Sequence, residues 1–335
     1  MFTQLKYPII QAPMAGGVST VKLAIAVSKN GGLGFLAAGY KTVEQLEDEI
    51  VTCINEKVPF GVNLFVPSND PYTKEAKHYH ETLQQRFHME LPIPSDSTDF
   101  YDEKLALVKH YKVPYVSFTF GCPSIHTMMD LQQAGIQTIV TVTTLAEALQ
   151  ALEVGTNAIC VQGIEAGGHR ASFQNEDIEQ EMPLPQLIEQ IRRETDLPII
   201  AAGGIMTGQQ IKDILKVGAN AVQLGSAFLC AEESGANEIY KQALLSKNYE
   251  TVMTRAFTGR LARGIKNTFT NTYAALAPKC YPAVHFMTQP IRKAALENEN
   301  PNNMSMWAGI NYPFIKQGSA NEILQILIDE YYAAT

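Results

Sequence analysis

Short apolar runs alternate with amphipathic runs along the first 230 residues. Eight of the apolar runs have the length and composition of strands: YPIIQAPM (7–14), LGFLAAG (33–39), PFGVNLF (59–65), VPYVSFTFG (113–121), IQTIVTV (136–142), AICVQG (158–163), LPIIAAGG (197–204) and AVQLGSAFL (221–229). They are continuously apolar, as strands buried on both faces of a parallel sheet are. Between them, apolar positions recur at helical spacing. Thr42 with Gln45, Thr144 with Glu147, and Thr207 with Gln210 have capping-box spacing, and Gly155 and Gly218 stop the last two of these helices. Eight strands each followed by a helix predict an α/β protein, a (β/α)8 TIM barrel. A doubly wound open sheet gives the same alternation. The count of eight, and the chemistry of the last two strand–helix junctions, favour the barrel.

Two stretches break the rhythm. Residues 66–112 are longer than one crossover needs. NDPYTKEAKHYHETLQQRFH predicts a polar helix, LPIPSDSTDFYDEK an exposed loop, and EKLALVKHYK a second helix. After residue 230, NEIYKQALLS and ANEILQILIDEYY predict helices around an aromatic, Asn-rich middle. The expected organisation is a barrel over residues 1–232 with an insertion at about 66–112, and a C-terminal, mainly helical elaboration over 233–335 packed on it.

Composition narrows the function classes. With 335 residues, 46% of them hydrophobic, the chain can bury a large core without a second domain. A net charge of −8 with no basic cluster disfavours nucleic acid and anionic membrane surfaces as partners. No apolar run approaches the roughly 20 residues that span a bilayer. The first residues, MFTQLKYPII, lack the basic and apolar regions of an export signal, so a cytoplasmic location is expected. The five cysteines are odd in number and form no CxxC, which fits reduced thiols.

The richest chemistry lies in VQGIEAGGHRASF, residues 161–173. It leaves a strand, turns through Gly167 and Gly168, and presents His169 with Arg170 behind it. Paired glycines let the backbone approach a flat or charged ligand, and an imidazole titrates near operating pH. His169 is therefore the candidate catalytic base; Glu165 and Arg170 are candidates to pin the loop. Gly203–Gly204 ends the seventh run, and Gln223-Leu224-Gly225-Ser226 ends the strand part of the eighth. Loops after these two barrel strands commonly bind phosphate through backbone N–H groups. Gln11-Ala12-Pro13-Met14, Asn63 and Gln162 end other strands at the same rim, and amides suit the mixed donors and acceptors of a flavin edge. His78, His80 and His88 lie on the insertion. His78 and His80, two apart, share no helix face and are expected to be solvated, and no metal motif exists. Cys122 has no identifiable base and is expected to be a non-catalytic thiol.

These motifs, in order, resemble those of a known family. QAPMAGGVST, AVSKNGGLGFLAAGY, VSFTFGCPS, VQGIEAGGHRASF, LPIIAAGGIMTGQQI and GANAVQLGSAFL look like the successive motifs of nitronate monooxygenases of the class I type, formerly called 2-nitropropane dioxygenases. The resemblance runs from about residue 7 to 235, with a weaker echo at WAGINY (307–312) and a departure at Ala171, where many relatives have Gly. It implies an FMN-dependent barrel monooxygenase. His169 falls on the catalytic histidine, and Met14, Asn63, Gln162, Gly167, Gly204 and Gln223–Ser226 fall on FMN-binding positions. The implied reaction is oxidative denitrification of an alkyl nitronate such as propionate 3-nitronate, with O2, to a carbonyl compound and nitrite. The implied partners are the nitronate and O2, with a homodimer left open. In the C-terminal elaboration, Tyr273, Tyr281, His285 and Tyr312 are candidates to cover the flavin. An FMN-dependent NAD(P)H enoyl-ACP reductase shares the EAGGH loop and is the alternative. A barrel that only binds a phosphorylated ligand is a second, and a cysteine-based, IMP-dehydrogenase-like enzyme a third.

Overall fold

In a computed structural model, which describes residues 5–68, 70–93, 98–178 and 182–334, the apolar runs fold as strands and the capped runs as helices. The elements are β1 (Ile9–Gln11), α1 (Val21–Lys29), β2 (Gly34–Ala37), α2 (Val43–Asn55), β3 (Phe60–Phe65), α3 (Lys74–Phe87), α4 (Tyr101–His110), β4 (Tyr115–Thr119), α5 (Ile125–Gln133), β5 (Gln137–Val142), α6 (Leu145–Glu153) and β6 (Ala158–Gln162). There follow β7 (Gly168–His169), α7 (Leu184–Arg192), β8 (Ile199–Ala202), α8 (Gly208–Val217), β9 (Ala221–Leu224), α9 (Glu238–Ser246), β10 (Thr251–Thr254), β11 (Ala262–Ile265), α10 (Thr268–Tyr273), α11 (Ala283–Glu297) and α12 (Ala320–Ala333).

Eight strands pair in parallel in the order β1-β9-β8-β6-β5-β4-β3-β2. A parallel bridge from Ile10 to Leu33 joins the two ends, so the sheet closes into a (β/α)8 barrel. At this seam Gln11 Oε1 accepts the Phe35 N–H (3.1 Å) and Gln11 Nε2 donates to Ser19 Oγ (2.8 Å). Gln11 is fully buried there, stitching the barrel shut, and does not serve as a rim amide. The barrel interior is filled by Ile10, Leu33, Phe35, Tyr115, Ile139 and Cys160. Phe35 crosses over Gly61, where an added Cβ would lie 2.3 Å from its ring. The larger apolar layer lies between sheet and helices, around Leu23, Val62, Val116, Val140, Ile188 and Ile211.

Thr42–Gln45 and Thr207–Gln210 form complete capping boxes. The third forms half. Thr144 Oγ1 accepts the Glu147 N–H, but the Glu147 carboxylate accepts from Thr143 N–H (2.6 Å), Thr143 Oγ1 (2.8 Å) and Phe173 N–H (2.7 Å). Its helix cap is given up to hold the chain that follows His169.

The last helix returns to the barrel. Ile323, Leu324, Leu327 and Ile328 of α12 join the main core, and α12 packs against both α8 and α1. The approach is close: a Cβ on Gly208 would lie 2.1 Å from Tyr331 N. α12 thus fills the eighth helix position, and residues 225–319 lie between the eighth barrel strand and its helix. This long connection is not only helical. β10 and β11 pair antiparallel, and β11 also pairs with β7.

The insertion and this connection share a second core. Ala76, Tyr79, Leu83 and Leu91 pack with Phe257, Phe269, Val284 and Met287, while Leu107 and Val108 of α4 join the main core. His78 and His88 are exposed, as expected. His80 is not. It is buried, and its Nε2 meets the Leu91 carbonyl at 3.0 Å. It belongs to an apolar stripe with Ala76, Tyr79 and Leu83 at helical spacing, which the polar residues around it concealed. Part of the expected exposed loop, residues 94–97, lies outside the described residues. Among the described residues no helix is long and apolar enough to cross a membrane.

If the second core is an integral part of the fold, Phe269→Ala, at a fully buried position, destabilises the protein by about 3–5 kcal/mol. Urea denaturation with fluorescence detection measures this. A loss below ~1 kcal/mol would show that the second core is peripheral.

Candidate functional site

At the C-terminal ends of the barrel strands a cavity of ≈ 360 Å³ opens, roofed by the long connection. This is within the size range of small-ligand sites. Met14, Asn63, Gln162, Gly167, His169, Gly203, Gly204, Gln223, Gly225 and Ser226 line it. Leu224 does not. Side chains alternate along a strand, so where Gln223 faces the cavity Leu224 faces the helices. Its side chain is buried in the main core and its carbonyl accepts the Ala12 N–H (2.9 Å). Cys122 is also absent from the lining, and burial pushes its thiol up to about 12. This leaves no nucleophilic cysteine for an IMP-dehydrogenase-like reaction.

The loop of His169 is held from four sides. Gly168 and His169 form β7 and pair with Arg263 and Ala262 of β11. Gln162 braces the loop from below: its Nε2 donates to the His169 carbonyl (3.0 Å) and its Oε1 accepts the Ala171 N–H (2.9 Å). Both ends of this amide serve the loop, and Gln162, which also lines the cavity, keeps one N–H and one lone pair for a ligand. Arg170 is buried and donates to the carbonyls of Gln162 (2.8 Å) and Thr143 (3.0 Å). Glu165 accepts the Leu184 N–H (3.1 Å) at the start of α7, a favourable place for an anion. Arg170 and Glu165 are anchors, as expected.

His169 Nε2 lies 2.9 Å from Thr258 Oγ1, which also reaches the Arg260 carbonyl at 3.1 Å. Thr258 has one hydroxyl proton, so the bond it gives decides which ring nitrogen of His169 is basic. Around the imidazole stand Trp307, Tyr281 and Phe120, with centroids 5.5, 5.9 and 6.0 Å away. Although it opens onto the cavity, His169 lies deep in the molecule, and its pKa is pushed down to about 3 by burial, then by Arg260 and Arg292. At neutral pH it is an uncharged imidazole.

Two arginines supply the positive charge. Arg260 is completely buried. It donates to Ser172 O, Arg170 O (3.5 Å) and Ser68 Oγ (3.4 Å), and lies over the Phe120 ring at 4.0 Å. Arg292 lines the cavity itself. Among the described residues no carboxylate does. Tyr40 and Tyr281 share a hydroxyl–hydroxyl bond of 2.9 Å, and Tyr40 stacks on His285 at 3.9 Å. Sequence reasoning missed Thr258, Arg260, Arg292 and Tyr40. Only Tyr40 lies within a quoted motif, and the others come from the long connection, which carries no local signal.

Of the C-terminal candidates, His285 and Tyr312 line the cavity, Tyr281 flanks His169, and Tyr273 lies away in the second core. The WAGINY stretch ties three rim loops together. Gly309 N–H donates to Ser226 Oγ (2.9 Å), Asn311 Nδ2 to the Gly204 carbonyl (2.7 Å), and Ile310 N–H to the Glu165 carbonyl (3.1 Å). Gly167 makes room for this stretch, since a Cβ there would lie 2.5 Å from Gly309 N.

The lining fits a flavin nucleotide. Gly203, Gly204 and Gly225 present bare backbone on the wall, and Gly203 and Gly204 have φ of +133° and +66°, where a side chain would be strained. Ser226 accepts from Gly309 and still has a proton to give. Asn63 Nδ2 is held by Ser117 Oγ and Thr119 Oγ1, both at 2.9 Å, which fixes the amide and keeps its oxygen as acceptor. Uncharged donors and acceptors, apolar side chains and a carboxylate-free wall are what a flat ring with a phosphate tail requires.

Comparisons with known proteins agree with this chemistry. A family profile described as nitronate monooxygenase matches residues 1–330. A probable nitronate monooxygenase of Staphylococcus haemolyticus is 39% identical, over 97% of this chain and 94% of its own. The structure of a nitroalkane oxidase from Streptomyces ansochromogenes superposes with a TM-score of 0.95 and 41% identity, over 99% of this chain and 98% of that one. FabK from Thermotoga maritima, with a TM-score of 0.78 and 24% identity over 99% and 94% of the two chains, shares the fold.

A histidine held neutral by the fold makes stability depend on pH. Unfolded, His169 takes up a proton near pH 6.5; folded, it does so only near 3. Between these values the unfolded chain binds more protons, so stability falls as pH falls, and this contribution is intact above about 6.5. Urea denaturation at pH 7.5 and 5 should show wild type losing more stability than His169→Gln. Equal losses would mean that His169 is already solvated.

Proposed function

Since the chain belongs to the nitronate monooxygenase family, we propose that it is an FMN-dependent enzyme converting alkyl nitronates, with O2, to a carbonyl compound and nitrite. The observation that carries this reading is the charge pattern of the cavity: a neutral histidine and a guanidinium on the wall, with no carboxylate among the described lining residues. Such a wall receives an anion, and a nitronate is one before it binds.

Gly203, Gly204, Gly225 and Ser226 would hold the phosphate, and Met14, Asn63 and Gln223 would meet the ring system. FMN, when bound, supplies the electron acceptor and the means of passing electrons to O2. A cavity of ≈ 360 Å³ suits a mononucleotide better than a dinucleotide. The protein's own work is placement and proton handling. A nitronate needs no deprotonation, so the standing positive charge comes from Arg260 and Arg292, while neutral His169 is free to accept a proton. Trp307, Tyr281 and Phe120 around the imidazole keep water from it. The reaction needs no partner beyond nitronate and O2, and we place it in the cytoplasm.

The test is a visible spectrum and release of the flavin, followed by anaerobic mixing with propionate 3-nitronate and, separately, NADPH. FMN should be released, nitronate should bleach the flavin, NADPH should not, and air should then yield nitrite. His169→Asn should keep its flavin and lose on the order of 10²–10⁴-fold in kcat/KM for a neutral nitroalkane, whose α-proton the imidazole would accept, and far less for the nitronate. Bleaching by NADPH alone would replace this reading with the reductase. A protein that takes up no flavin would leave only a phospholigand-binding barrel.

A further inference from the structure

Arg292 supplies standing charge in the reading above, and its placement gives it a second role. Its Nε donates to Thr288 Oγ1 (3.2 Å) and one Nη to the His285 carbonyl (2.7 Å), both on its own helix. Among the described residues no carboxylate forms an ion pair with it, although Asp48 and Glu49 line the outer cleft beside it, and burial pushes its pKa down to about 10, countered by the Tyr40 hydroxyl. The contrast with Arg260 is instructive. Arg260 spends its donors on carbonyls and a hydroxyl behind the cavity wall and lies against an aromatic face. Arg292 stands half-buried in the wall, its guanidinium otherwise held only by its own helix, with the His285 Nδ1 at 3.5 Å, and a guanidinium drawn out of bulk water without an ion-pair partner is costly.

Its position narrows the role. Arg292, His285, Tyr40 and Gly16 line both the cavity and a shallower outer cleft, so they form the partition between the two. The His285 ring is stacked on Tyr40, 3.9 Å apart and 6° from parallel. Stacking and the bond from Arg292 to the His285 carbonyl hold the guanidinium where the cleft meets the cavity. The glycine loops assigned to phosphate follow β8 and β9, whereas Arg292 is on α11.

We propose that Arg292 binds a second anionic group on the substrate, a carboxylate remote from the nitronate, and so selects acid-bearing nitronates over simple alkyl nitronates. A guanidinium fits a carboxylate with two parallel N–H···O bonds, and binding restores the missing counter-charge. This inference rests on the nitronate reading for its substrate class. Its residue assignment can be tested without turnover.

The experiment uses the holoenzyme and its Arg292→Met and Arg292→Lys variants. Steady-state kinetics compare propionate 3-nitronate with propyl-1-nitronate, which lacks the carboxylate. Binding of 3-nitropropionate and 1-nitropropane is followed in parallel by perturbation of the flavin spectrum. Arg292→Met should lose on the order of 10- to 100-fold in kcat/KM for the acid-bearing nitronate, mainly through KM. The alkyl nitronate, which meets only the standing charge of Arg292, should lose at least about tenfold less, and 1-nitropropane binding should hold while 3-nitropropionate binding weakens. Arg292→Lys should recover part of the loss. Equal losses on both nitronates, or loss of FMN with the arginine, would overturn the assignment. If wild type turns over neither nitronate, the functional reading fails by itself. The proposal then stands or falls on whether wild type prefers 3-nitropropionate to 1-nitropropane and Arg292→Met loses that preference.

Discussion

The site depends on one small piece of sheet: two residues, Gly168 and His169, paired with Arg263 and Ala262. A glycine-rich loop on a barrel rim has no reason to hold a side chain still. Glycine adds conformational freedom, and the loop's own apolar contacts are few. Antiparallel pairing to β11 removes that freedom at the one residue that needs a fixed direction. Gln162, Arg170 and Glu165 then fasten the same loop to β6, to the end of β5 and to α7. Gln162, Glu165 and Arg170 of the same loop are engaged in holding it, so the groups that act with His169 come from elsewhere. They come from the turn between β10 and β11, from α11 and from the WAGINY stretch.

Electrostatics follow from that arrangement. Bringing the tail over the rim buries Arg260 fully and His169 and Arg292 in part, without a carboxylate on the described cavity wall. Burial and two nearby cations both disfavour a third positive charge, so the histidine is neutral by construction. An anion entering this cavity meets cations that cannot be neutralised at ordinary pH and a base that is empty. The cost of such burial is borne by the two cores around it. One is the barrel's own, and the other is made jointly by α3 and the tail.

How much of this was legible depended on range along the chain. All eight barrel strands could be read, because burial on both faces leaves a local mark, and so could the caps at Thr42 and Thr207. His169, Gly203, Gly204, Gly225 and Ser226 followed from the rule that barrel sites lie at strand ends. That rule names a rim position and not a facing direction, so it also swept in Leu224 and Gln11. Leu224 alternates to the helix side, and Gln11 closes the seam at Phe35. Gln162 lines the cavity, and only the fold shows the His169 carbonyl and the Ala171 N–H meeting the same amide. Thr258, Arg260 and Arg292 gave no sign, since their neighbours in space are about 90 or more residues away in sequence for the first two, and the cavity itself for the third.

The order of elements explains why a tail can perform so exacting a task. Had the barrel's eighth helix followed β9 directly, the remaining chain would have been a C-terminal appendage held at one end. Instead α12 comes last and packs against α8 and α1, with Gly208 and Tyr331 in close backbone approach. Residues 225–319 are therefore a loop tethered to the barrel at both ends. Closing the loop limits the conformations it can sample before any contact forms, and the second core with α3 limits them further. Within that frame a two-residue strand pairing is enough to set the histidine, and the same frame carries Arg292 and Trp307 to the cavity wall. Specificity can then vary on the tail while the barrel and its glycine loops stay unchanged.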